Sequence, residues 1–352
     1  MDADYLIVGQ GIAGTLVAHE LIKRGKKIRL IDKGHQHISS SVAAGVVNPI
    51  TGRRFVLKSD FDQLRSKALS VYSELEDILK IQLVQHLPMI RILKNEEEVK
   101  KWEERKEDVD FLDQLGEISD VNALLEVLKI SGNPVVIKSS FKLNMRELIA
   151  SYRELLKAEK LLIEEEFDFS SLEINDEHCI YKGLRAKKII FCEGAKIVSN
   201  PFFNFIPMQP SKGQALIVEL PVEKLPFMIN AGLIIVPEGG NRYWVGTANK
   251  WKFEHEMAEG ELESKLESKL RDLIGCDFRI ISSAAAVRPG IKDRVPVMGV
   301  HTEYENLLVF NGLGTKGSSL GPFWAAHFVD FLSGDIAELN PKVCLERFVC
   351  YS

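Results

Sequence analysis

Hydrophobic and polar positions follow two different periods along the chain, and the changes of period predict its elements. An apolar run at Tyr5–Val8 precedes a glycine-rich turn, and apolar residues then recur at helical spacing over Ile12–Arg24. Gly25 ends this predicted helix, and Lys27–Ile31 predicts a second strand. The N-terminal segment therefore predicts a strand, a glycine turn, a helix and a strand.

The middle of the chain combines charged helices with short strands. Helical spacing predicts helices at Phe61–Gln82, Asn95–Asp110, Met145–Lys160 and Glu261–Ile274. Alternating or apolar runs predict strands at Ala215–Glu219, Gly232–Val236 and Tyr243–Gly246.

The C-terminal part returns to the strand and helix pattern of the N-terminus. A strand at Leu307–Phe310 and a glycine loop precede a helix at Leu320–Leu332, which stops at Gly334. Strand–helix alternation at both ends around a more antiparallel middle predicts a discontinuous nucleotide-binding domain with a second domain inserted.

Composition and charge limit the classes of partner. The chain has 352 residues, which exceeds one average domain, and its 45% hydrophobic and 27% charged residues are ordinary for a soluble protein. A net charge of -5 argues against a nucleic-acid partner, because neutralising phosphates needs a basic surface.

Cysteine and histidine usage predicts neither disulfides nor a metal site. The five cysteines are scattered, odd in number and never spaced as CxxC, and the eight histidines show no metal-ligand spacing. No leader pattern precedes the first strand, and no apolar run approaches the roughly 18 residues that span a bilayer. We therefore expect a cytoplasmic protein without a membrane partner.

The N-terminal turn has the spacing G-x-G-x-x-G, formed by Gly9, Gly11 and Gly14. Gly9 permits the sharp turn, Gly11 lets the main chain approach a pyrophosphate, and Gly14 lets the helix lie close to the strand. Asp32 follows the second strand, where a carboxylate can accept hydrogen bonds from a ribose hydroxyl and disfavours a 2′-phosphate. A glycine-rich turn in another α/β protein is the alternative, which the strand, helix and acid in register disfavour.

A second glycine loop lies near the other end of the chain. Gly312, Gly314 and Gly317 surround Lys316 between a strand and a helix. Reduced flavin carries negative charge at N1 and C2=O, which a helix dipole and the Lys316 ammonium would stabilise. Two such loops suit a long ligand such as FAD, whereas for NAD the second loop is surplus. A simple helix-capping turn is the alternative.

These segments resemble the D-amino-acid-oxidase superfamily of FAD enzymes, and its glycine-oxidase branch in particular. The motifs that carry the resemblance occur in family order, namely Gly9–Gly14 with Asp32, Ser39–Pro49, Ile189–Ala195, Gln209–Gln214, Val287–Gly299 and the loop at 312–317. The sequence departs from the family pattern at Cys192 and Glu193, where small residues are usual.

The resemblance implies an α/β fold with a Rossmann-like FAD-binding domain of the glutathione-reductase-2 type. A substrate domain built on a mostly antiparallel sheet is inserted into it. The expected FAD-binding domain comprises residues 1–85, 140–205 and 284–352, and the expected substrate-binding domain comprises 86–139 and 206–283.

The resemblance also implies non-covalent FAD, with Cys192 packed in the core rather than linked to the flavin. The cofactor-binding residues that it implies are Gly9, Gly11, Ile12, Ala13, Gly14, Asp32, Lys33, Ser40, Ser41, Ala44, Gly45, Val46, Gly194, Gly312, Gly314, Thr315, Lys316 and Gly317.

Arg288 and Lys316 are the catalytic residues that the resemblance implies. Arg288 would face the flavin and bind the substrate carboxylate, to which a guanidinium is a planar bidentate match. The alternative for Arg288 is a structural tie to a carbonyl or to Asp293, and the alternative for Lys316 is a solvated surface lysine.

The implied reaction is oxidation of the C–N bond of an amino acid or related amine. Hydride would pass to flavin N5, and the imine would hydrolyse. Three alternatives stay open at this point. They are a carboxymethylaminomethyl group of modified tRNA as substrate, an NAD-dependent dehydrogenase, and a flavoprotein that uses FAD structurally.

Five further side chains are candidates for the substrate pocket. Arg53 and Arg54 could reach an anionic substrate, although at least one is expected to be a solvated charge. Tyr243, Trp244 and Trp251 could form a wall of the pocket, although core packing is the commoner role for aromatic residues in such a place.

Overall fold

The elements of the chain are defined by a computed structural model, which describes residues 2–34, 38–118, 124, 126–129, 132–222 and 225–351. Within these residues the α-helices are α1 (Ile12–Lys23), α2 (Ser39–Val42), α3 (Phe61–Leu79), α4 (Glu96–Arg105), α5 (Val109–Leu112), α6 (Met145–Ala158), α7 (Gly260–Leu273) and α8 (Gly317–Ser333). Short 3-10 helices occupy Phe169–Ser171, Gly194–Ser199 and Leu345–Tyr351.

The described strands, in chain order, are β1 (Ala3–Val8), β2 (Ile28–Ile31), β3 (Val46–Val47), β4 (Ile50–Thr51), β5 (Val56–Leu57), β6 (Val84–Gln85), β7 (Met89–Leu93), β8 (Leu115–Gly116), β9 (Asn133–Ile137), β10 (Phe141–Leu143), β11 (Leu162–Ile163), β12 (Leu172–Ile174), β13 (Cys179–Tyr181), β14 (Leu184–Phe191), β15 (Ser211–Glu219), β16 (Met228–Asn230), β17 (Ile234–Gly239), β18 (Arg242–Lys250), β19 (Arg279–Arg288), β20 (Val297–Val300) and β21 (Leu307–Asn311).

The first sheet has a parallel centre in the order β11-β2-β1-β14-β21, and the antiparallel strands β12, β13 and β20 extend it. Val8 pairs with Ile31 on one side and with Phe191 on the other, so these strands end at the same edge. Loops at the carboxyl ends of parallel strands form the usual ligand site of an open α/β sheet. Both glycine turns of the sequence are therefore brought to one edge.

Helices α1 and α8 pack directly against each other over this sheet. A Cβ atom added at Gly321 would lie 2.6 Å from Leu16 Cδ1, and one added at Gly317 would lie 2.9 Å from Ile12 Cγ2. Glycines on α8 therefore let the two helices approach closely, which places the N-terminus of α8 beside that of α1.

The second sheet has the strand order β19-β15-β18-β17-β16-β7-β9-β8, and all pairs except β16 with β7 are antiparallel. One face carries a buried core that includes Leu216, Ile229 and Tyr243, with Leu266 and Leu270 of α7 packed on it. The prediction of a second, mostly antiparallel sheet is confirmed. Part of the opposite face packs with Phe55 and Trp102, and another part, with Ala215 and Gly246, forms one wall of the cavity described below.

Two predicted elements are wrong in their extent. The helix predicted at Asn95–Asp110 is two helices, because the Asp108 side chain accepts hydrogen bonds from the Asp110 and Phe111 amides and starts α5. The strand predicted from Gly232 begins at Ile234, since Gly232 has a φ of +92°.

Strand β19 crosses the predicted domain boundary at residue 284, and it pairs with β15 from Arg279 to Arg288. The division into two domains stays a prediction. No helix among the described residues combines the length and apolar character that crossing a bilayer requires.

Candidate cofactor and substrate site

The structure contains two adjacent chambers. The nucleotide chamber, about 650 Å³, lies at the carboxyl ends of β1, β2, β14 and β21. The sheet chamber, about 500 Å³, lies between the N-terminus of α8 and the open face of the second sheet. Ile12, Ser39, Ser40 and Gly314 line both chambers, so a long ligand in one would reach the other.

The first glycine turn forms one wall of the nucleotide chamber. Gly9 has a φ of +99°, and a Cβ atom at Gly14 would lie only 1.9 Å from the Gly9 carbonyl oxygen. Gly11 faces the chamber, with Ser40 Oγ at 3.4 Å from the position of an added Cβ. The turn therefore leaves main-chain amides and the N-terminus of α1 open to an anion, which suits a diphosphate.

Asp32 lies at the far side of this turn and is held by protein groups. Its Oδ2 accepts a hydrogen bond from Gln10 N at 2.8 Å, and its Oδ1 accepts from Gly34 N at 2.7 Å and Arg153 Nη1 at 2.9 Å. A carboxylate offers about four acceptor positions, so one position is left for a hydroxyl donor such as a ribose.

The serine- and alanine-rich loop connects the two chambers. Ser40 Oγ accepts a hydrogen bond from the Ile12 amide at 3.0 Å, which ties the loop to the start of α1. Gly45 has a φ of +69°, and a Cβ atom there would lie 1.9 Å from the Leu143 carbonyl oxygen. Only glycine fits at position 45, and Ala44, Gly45 and Val46 line the sheet chamber.

The second glycine loop lies opposite, at the N-terminus of α8. Gly314 borders both chambers, and Thr315, Lys316 and Gly317 line the sheet chamber. Burial and, to a lesser degree, the charge of Lys58 lower the pKa of Lys316. Lys316 is thus half-buried and lines the cavity.

Arg288 enters the sheet chamber from the edge strand β19. A Cβ atom at Gly213 would lie 2.3 Å from Arg288 Nη2, so the guanidinium occupies the space that a side chain on β15 would need. Burial lowers the pKa of Arg288. Asp293, the alternative partner, forms its salt bridge with Arg347 at 3.0 Å.

The sheet chamber is strongly biased toward positive charge. Its charged lining residues in the described part of the chain are Lys58, Arg91, Arg288 and Lys316, with no aspartate or glutamate among them. A cavity lined by four cations and no acid favours an anionic ligand, because opposite charges attract strongly where protein partly excludes water.

The structure gathers most of the predicted site residues around these chambers. The nucleotide chamber is lined by Gly9, Gly11, Ile12, Ala13, Asp32, Lys33, Ser40, Gly194 and Gly314. The sheet chamber is lined by Ile12, Ser40, Ala44, Gly45, Val46, Arg288, Gly314, Thr315, Lys316 and Gly317.

Three predicted cofactor residues line neither chamber. Gly14 packs against Gly9, Gly312 packs against Ile291, and the Ser41 hydroxyl donates a hydrogen bond to the Ile38 carbonyl at 2.9 Å. These three residues shape the loops rather than border the cavity.

The five candidates for the substrate pocket also differ in whether they line a chamber. Trp244 lines the sheet chamber and donates from Nε1 to the Val42 carbonyl at 2.9 Å. Tyr243 is fully buried on the other face of the second sheet, and Trp251 is 52% exposed. Arg53 and Arg54 are exposed and line neither chamber.

Sequence reasoning missed three polar residues of this region. Arg153 holds Asp32, Arg91 lies in the sheet chamber, and Glu193 lines the nucleotide chamber with its carboxylate accepting from Asn200 Nδ2 at 2.6 Å. Burial raises the pKa of Glu193 to about 7. Of these three residues, only Glu193 could have been noticed in the sequence, because it stands where the family usually has a small residue.

Cys192 lies beside Glu193 and is almost completely buried. Burial raises the pKa of its thiol, and its Cβ lies 3.5 Å from the position of an added Cβ at Gly14. It is therefore a packing residue of the β1–α1 turn.

A parallel sheet with a glycine cradle, joined to a cationic chamber under a second sheet, is the architecture of a flavin-dependent oxidoreductase. The cradle fits FAD, because Gly14 and Gly9 leave the α1 amides open and the second chamber continues from the first. The chain belongs to the FAD-dependent oxidoreductase (DAO) family, whose model matches residues 4–330. Its cofactor is FAD, and the hypothesis of an NAD-dependent dehydrogenase is wrong.

Similarity to characterised proteins supports this assignment. The chain is 25% identical to the glycine oxidase of Geobacillus kaustophilus (strain HTA426), over 91% of this chain and 90% of the relative. The fold is similar to the crystal structure of glycine oxidase from Geobacillus kaustophilus, with a TM-score of 0.80, 20% identity and 96% of each chain covered. It is also similar to that of iminodiacetate oxidase from Chelativorans sp. BNC1, with a TM-score of 0.74, 21% identity and 98% of each chain covered.

Proposed function

We propose that this protein oxidises the C–N bond of an amino acid or related amine that carries a carboxylate next to the reacting carbon. The observation that carries the proposal is the Arg288 guanidinium, which lies over Gly213 in a chamber whose described lining includes no acidic residue. The similarity to a glycine oxidase and to an iminodiacetate oxidase supports the same substrate class.

The chain contributes binding, orientation and charge to this reaction. Arg288 would bind the substrate carboxylate in two parallel hydrogen bonds, which fixes the neighbouring C–N bond relative to the wall at 314–317. Lys316 and the N-terminus of α8 would stabilise negative charge on that wall. Bound FAD supplies a two-electron centre that accepts hydride.

The surroundings of the chamber explain why no dedicated base is required. Phe61, Leu64, Met89 and Trp244 contribute apolar surface to the chamber, which favours the neutral amine over the ammonium form. A neutral amine can lose hydride from the adjacent carbon, and water then hydrolyses the resulting imine.

Anaerobic reduction of the holoenzyme tests the proposal. We expect glycine, sarcosine, iminodiacetate or another amine of this panel to bleach the flavin absorbance near 450 nm, with an oxo acid as product. Failure of every amine in the panel would contradict the proposed function. Admitting air and assaying hydrogen peroxide then determines whether oxygen is the electron acceptor.

The role of Arg288 is tested separately by Arg288→Met. We expect the KM of the amino acid to rise at least 30-fold, because about 2 kcal/mol or more is lost with a charge-assisted bidentate contact. The flavin spectrum should be retained. Arg53→Met serves as the matched control, since Arg53 is exposed and lines neither chamber; an unchanged KM in Arg288→Met would remove Arg288 from the site.

A further inference from the structure

A second arginine of the sheet chamber, Arg91, has no role in the reaction described above. It lies on β7 and is only 9% exposed. Within the described residues it forms no salt bridge and no hydrogen bond through its side chain, and its Cζ lies 4.4 Å from the ring centroid of Phe55. A buried guanidinium normally has a carboxylate or carbonyl partner, because an unpaired buried charge is costly.

The surroundings of Arg91 are mostly apolar. Met89 and Leu93, on the same face of β7, belong to a buried cluster with Phe55 and Trp102. The carboxylate of Glu98 acts on Arg91 through space, and its Oε2 accepts a hydrogen bond from the Lys94 amide at 2.9 Å. The cation–π contact with one ring is weak compared with the cost of burying the charge.

Strand register places Arg91 at one end of a row across the second sheet. Ala215 pairs with Gly246, Gly246 with Ile234, Ile234 with Asn230, and Asn230 with Arg91. All five residues line the sheet chamber, so the row is the floor of the chamber. Four inter-strand steps of about 4.8 Å give the row a length of about 19 Å.

Arg288 lies at the opposite end of this floor. Its guanidinium covers Gly213, which is two residues from Ala215 on β15 and therefore points to the same face. Between the two arginines the Trp244 ring covers Gly246, with Cη2 2.3 Å from the position of an added Cβ, and the rest of the floor is small or apolar apart from Asn230. The chamber thus has one guanidinium at each end of an uncharged floor.

We propose that Arg91 binds a second carboxylate of the substrate, so that the preferred substrate is an elongated amine with one carboxylate beside the reacting C–N bond and another at its far end. This inference rests on the proposed function. For an N-substituted glycine of this kind, hydride and a proton leave the substrate as the C=N bond forms. Water then cleaves that bond to glyoxylate and the ω-amino acid.

Matched pairs of substrates test this inference on the holoenzyme. N-Butylglycine and N-(3-carboxypropyl)glycine differ in a terminal methyl against a carboxylate, and shorter and longer homologues vary the span. We expect kcat/KM of the wild-type protein to favour the dicarboxylate at the best length by tenfold or more. We expect Arg91→Met to reduce that ratio at least tenfold, and Arg91→Lys to restore part of it.

A structural role of Arg91 would lower the rates of both compounds together and leave their ratio unchanged. Arg53→Met is the matched control for removing a positive charge outside the chamber. Equal kcat/KM for both members of every pair in the wild type would overturn the inference while leaving the proposed function intact. If neither compound of any pair reduces the flavin while an amine of the earlier panel does, the inference is overturned and the proposed function stands; failure of the panel as well would contradict the proposed function.

Binding of unreactive acids provides a readout that does not depend on turnover. Adipate should shift the visible flavin spectrum at a concentration at least tenfold lower than hexanoate does. Arg91→Met should remove this difference. The same comparison is made with longer diacids and their monoacids, because adipate is short against the length of the floor. If no diacid of this series binds better than its monoacid to the wild type, Arg91 does not bind a carboxylate, whatever the enzyme oxidises.

Discussion

At the scale of single residues, Gly213 and Arg288 form one unit. The guanidinium occupies the position that any side chain at residue 213 would take, at 2.3 Å from an added Cβ. Glycine is therefore needed at position 213 because the Arg288 side chain occupies the space, and not because the backbone there has a positive φ.

Gly213→Ala should accordingly behave as a partial loss of Arg288. The new methyl group displaces the guanidinium, and we expect KM for the amine substrate to rise about tenfold, equivalent to ~1.4 kcal/mol, with FAD still bound. Steady-state kinetics and the flavin spectrum measure both quantities. Gly260→Ala is the control, because Gly260 is exposed and an added Cβ there meets no atom within 4 Å. Equal KM values for the two variants would show that Arg288 tolerates the methyl group.

Glu193 makes the stability of the FAD-free protein depend on pH. Burial raises its pKa from 4.5 to about 7, so the folded state binds more protons than the unfolded state between these values. The free energy of unfolding therefore falls as pH rises from about 4.5 to about 7 and loses no more above that range. The size of the fall is on the order of 1 to 3 kcal/mol.

Glu193→Gln should remove this fall, because a neutral amide carries no charge to desolvate and can still accept from Asn200. Urea unfolding at pH 5, 6, 7 and 8 measures the difference from the wild type. Glu177→Gln removes the same charge at an exposed position and should keep the wild-type profile. A profile of Glu193→Gln parallel to the wild type would assign the pH dependence to another group.

At the scale of elements, the N-terminal turn of α8 depends on a hydrogen bond from another helix. Pro322 lies within α8 and has no N–H to donate to the Ser318 carbonyl four residues earlier. The hydroxyl of Tyr72, on α3, donates to that carbonyl at 2.7 Å. Tyr72 is fully buried, so α3 completes the helix turn that follows Lys316.

Tyr72→Phe should destabilise the protein by about 1 to 3 kcal/mol, because it leaves a buried carbonyl without a donor. In a Pro322→Ala background the restored amide can bond to Ser318, and the cost of Tyr72→Phe should fall by at least half. Equilibrium unfolding of the four proteins forms a double-mutant cycle. Additive effects would show that the two groups do not serve the same carbonyl.

The sequence predicted elements well where their periodicity is long. The nucleotide-binding motif from β1 to β2 and the helices α3, α6, α7 and α8 follow from glycine turns and helical spacing. The family was indicated by the resemblance of several motifs in order, and the family model confirms it. Strand β7 escaped prediction because a five-residue run with an arginine at its centre has no distinctive period. For the same reason Arg91 could not be predicted from the sequence, since its neighbours are brought together only by strand pairing.

At the scale of the whole molecule, the ligand cavity joins the two ends of the chain. The nucleotide chamber is bordered by the turn at 9–14 and the loop at 312–317, which meet because β1, β14 and β21 are adjacent in one sheet. A ligand bound there links distant parts of the chain, and it stabilises only the folded state.

FAD should therefore raise the melting temperature of the apoprotein by several degrees. Saturation at a hundred times Kd adds about 2.7 kcal/mol to the free energy of unfolding. Thermal unfolding with and without FAD measures the shift. NAD at the same concentration should produce little change, and Gly14→Ala should lose the response to FAD, since its Cβ would overlap the Gly9 carbonyl. A rise with NAD equal to that with FAD would contradict the assigned cofactor.

The strand order of the first sheet also determines how late in translation the cofactor site can form. Strand β21 pairs with β14 more than a hundred residues after β14 itself emerges, and the loop that follows β21 completes the chamber. A ribosome that has translated the glycine turn has so far produced only half of the cofactor cradle. The cradle is thus complete only after β21 and the loop at 312–317 have been translated, so we expect a segment that ends before β21 not to retain FAD.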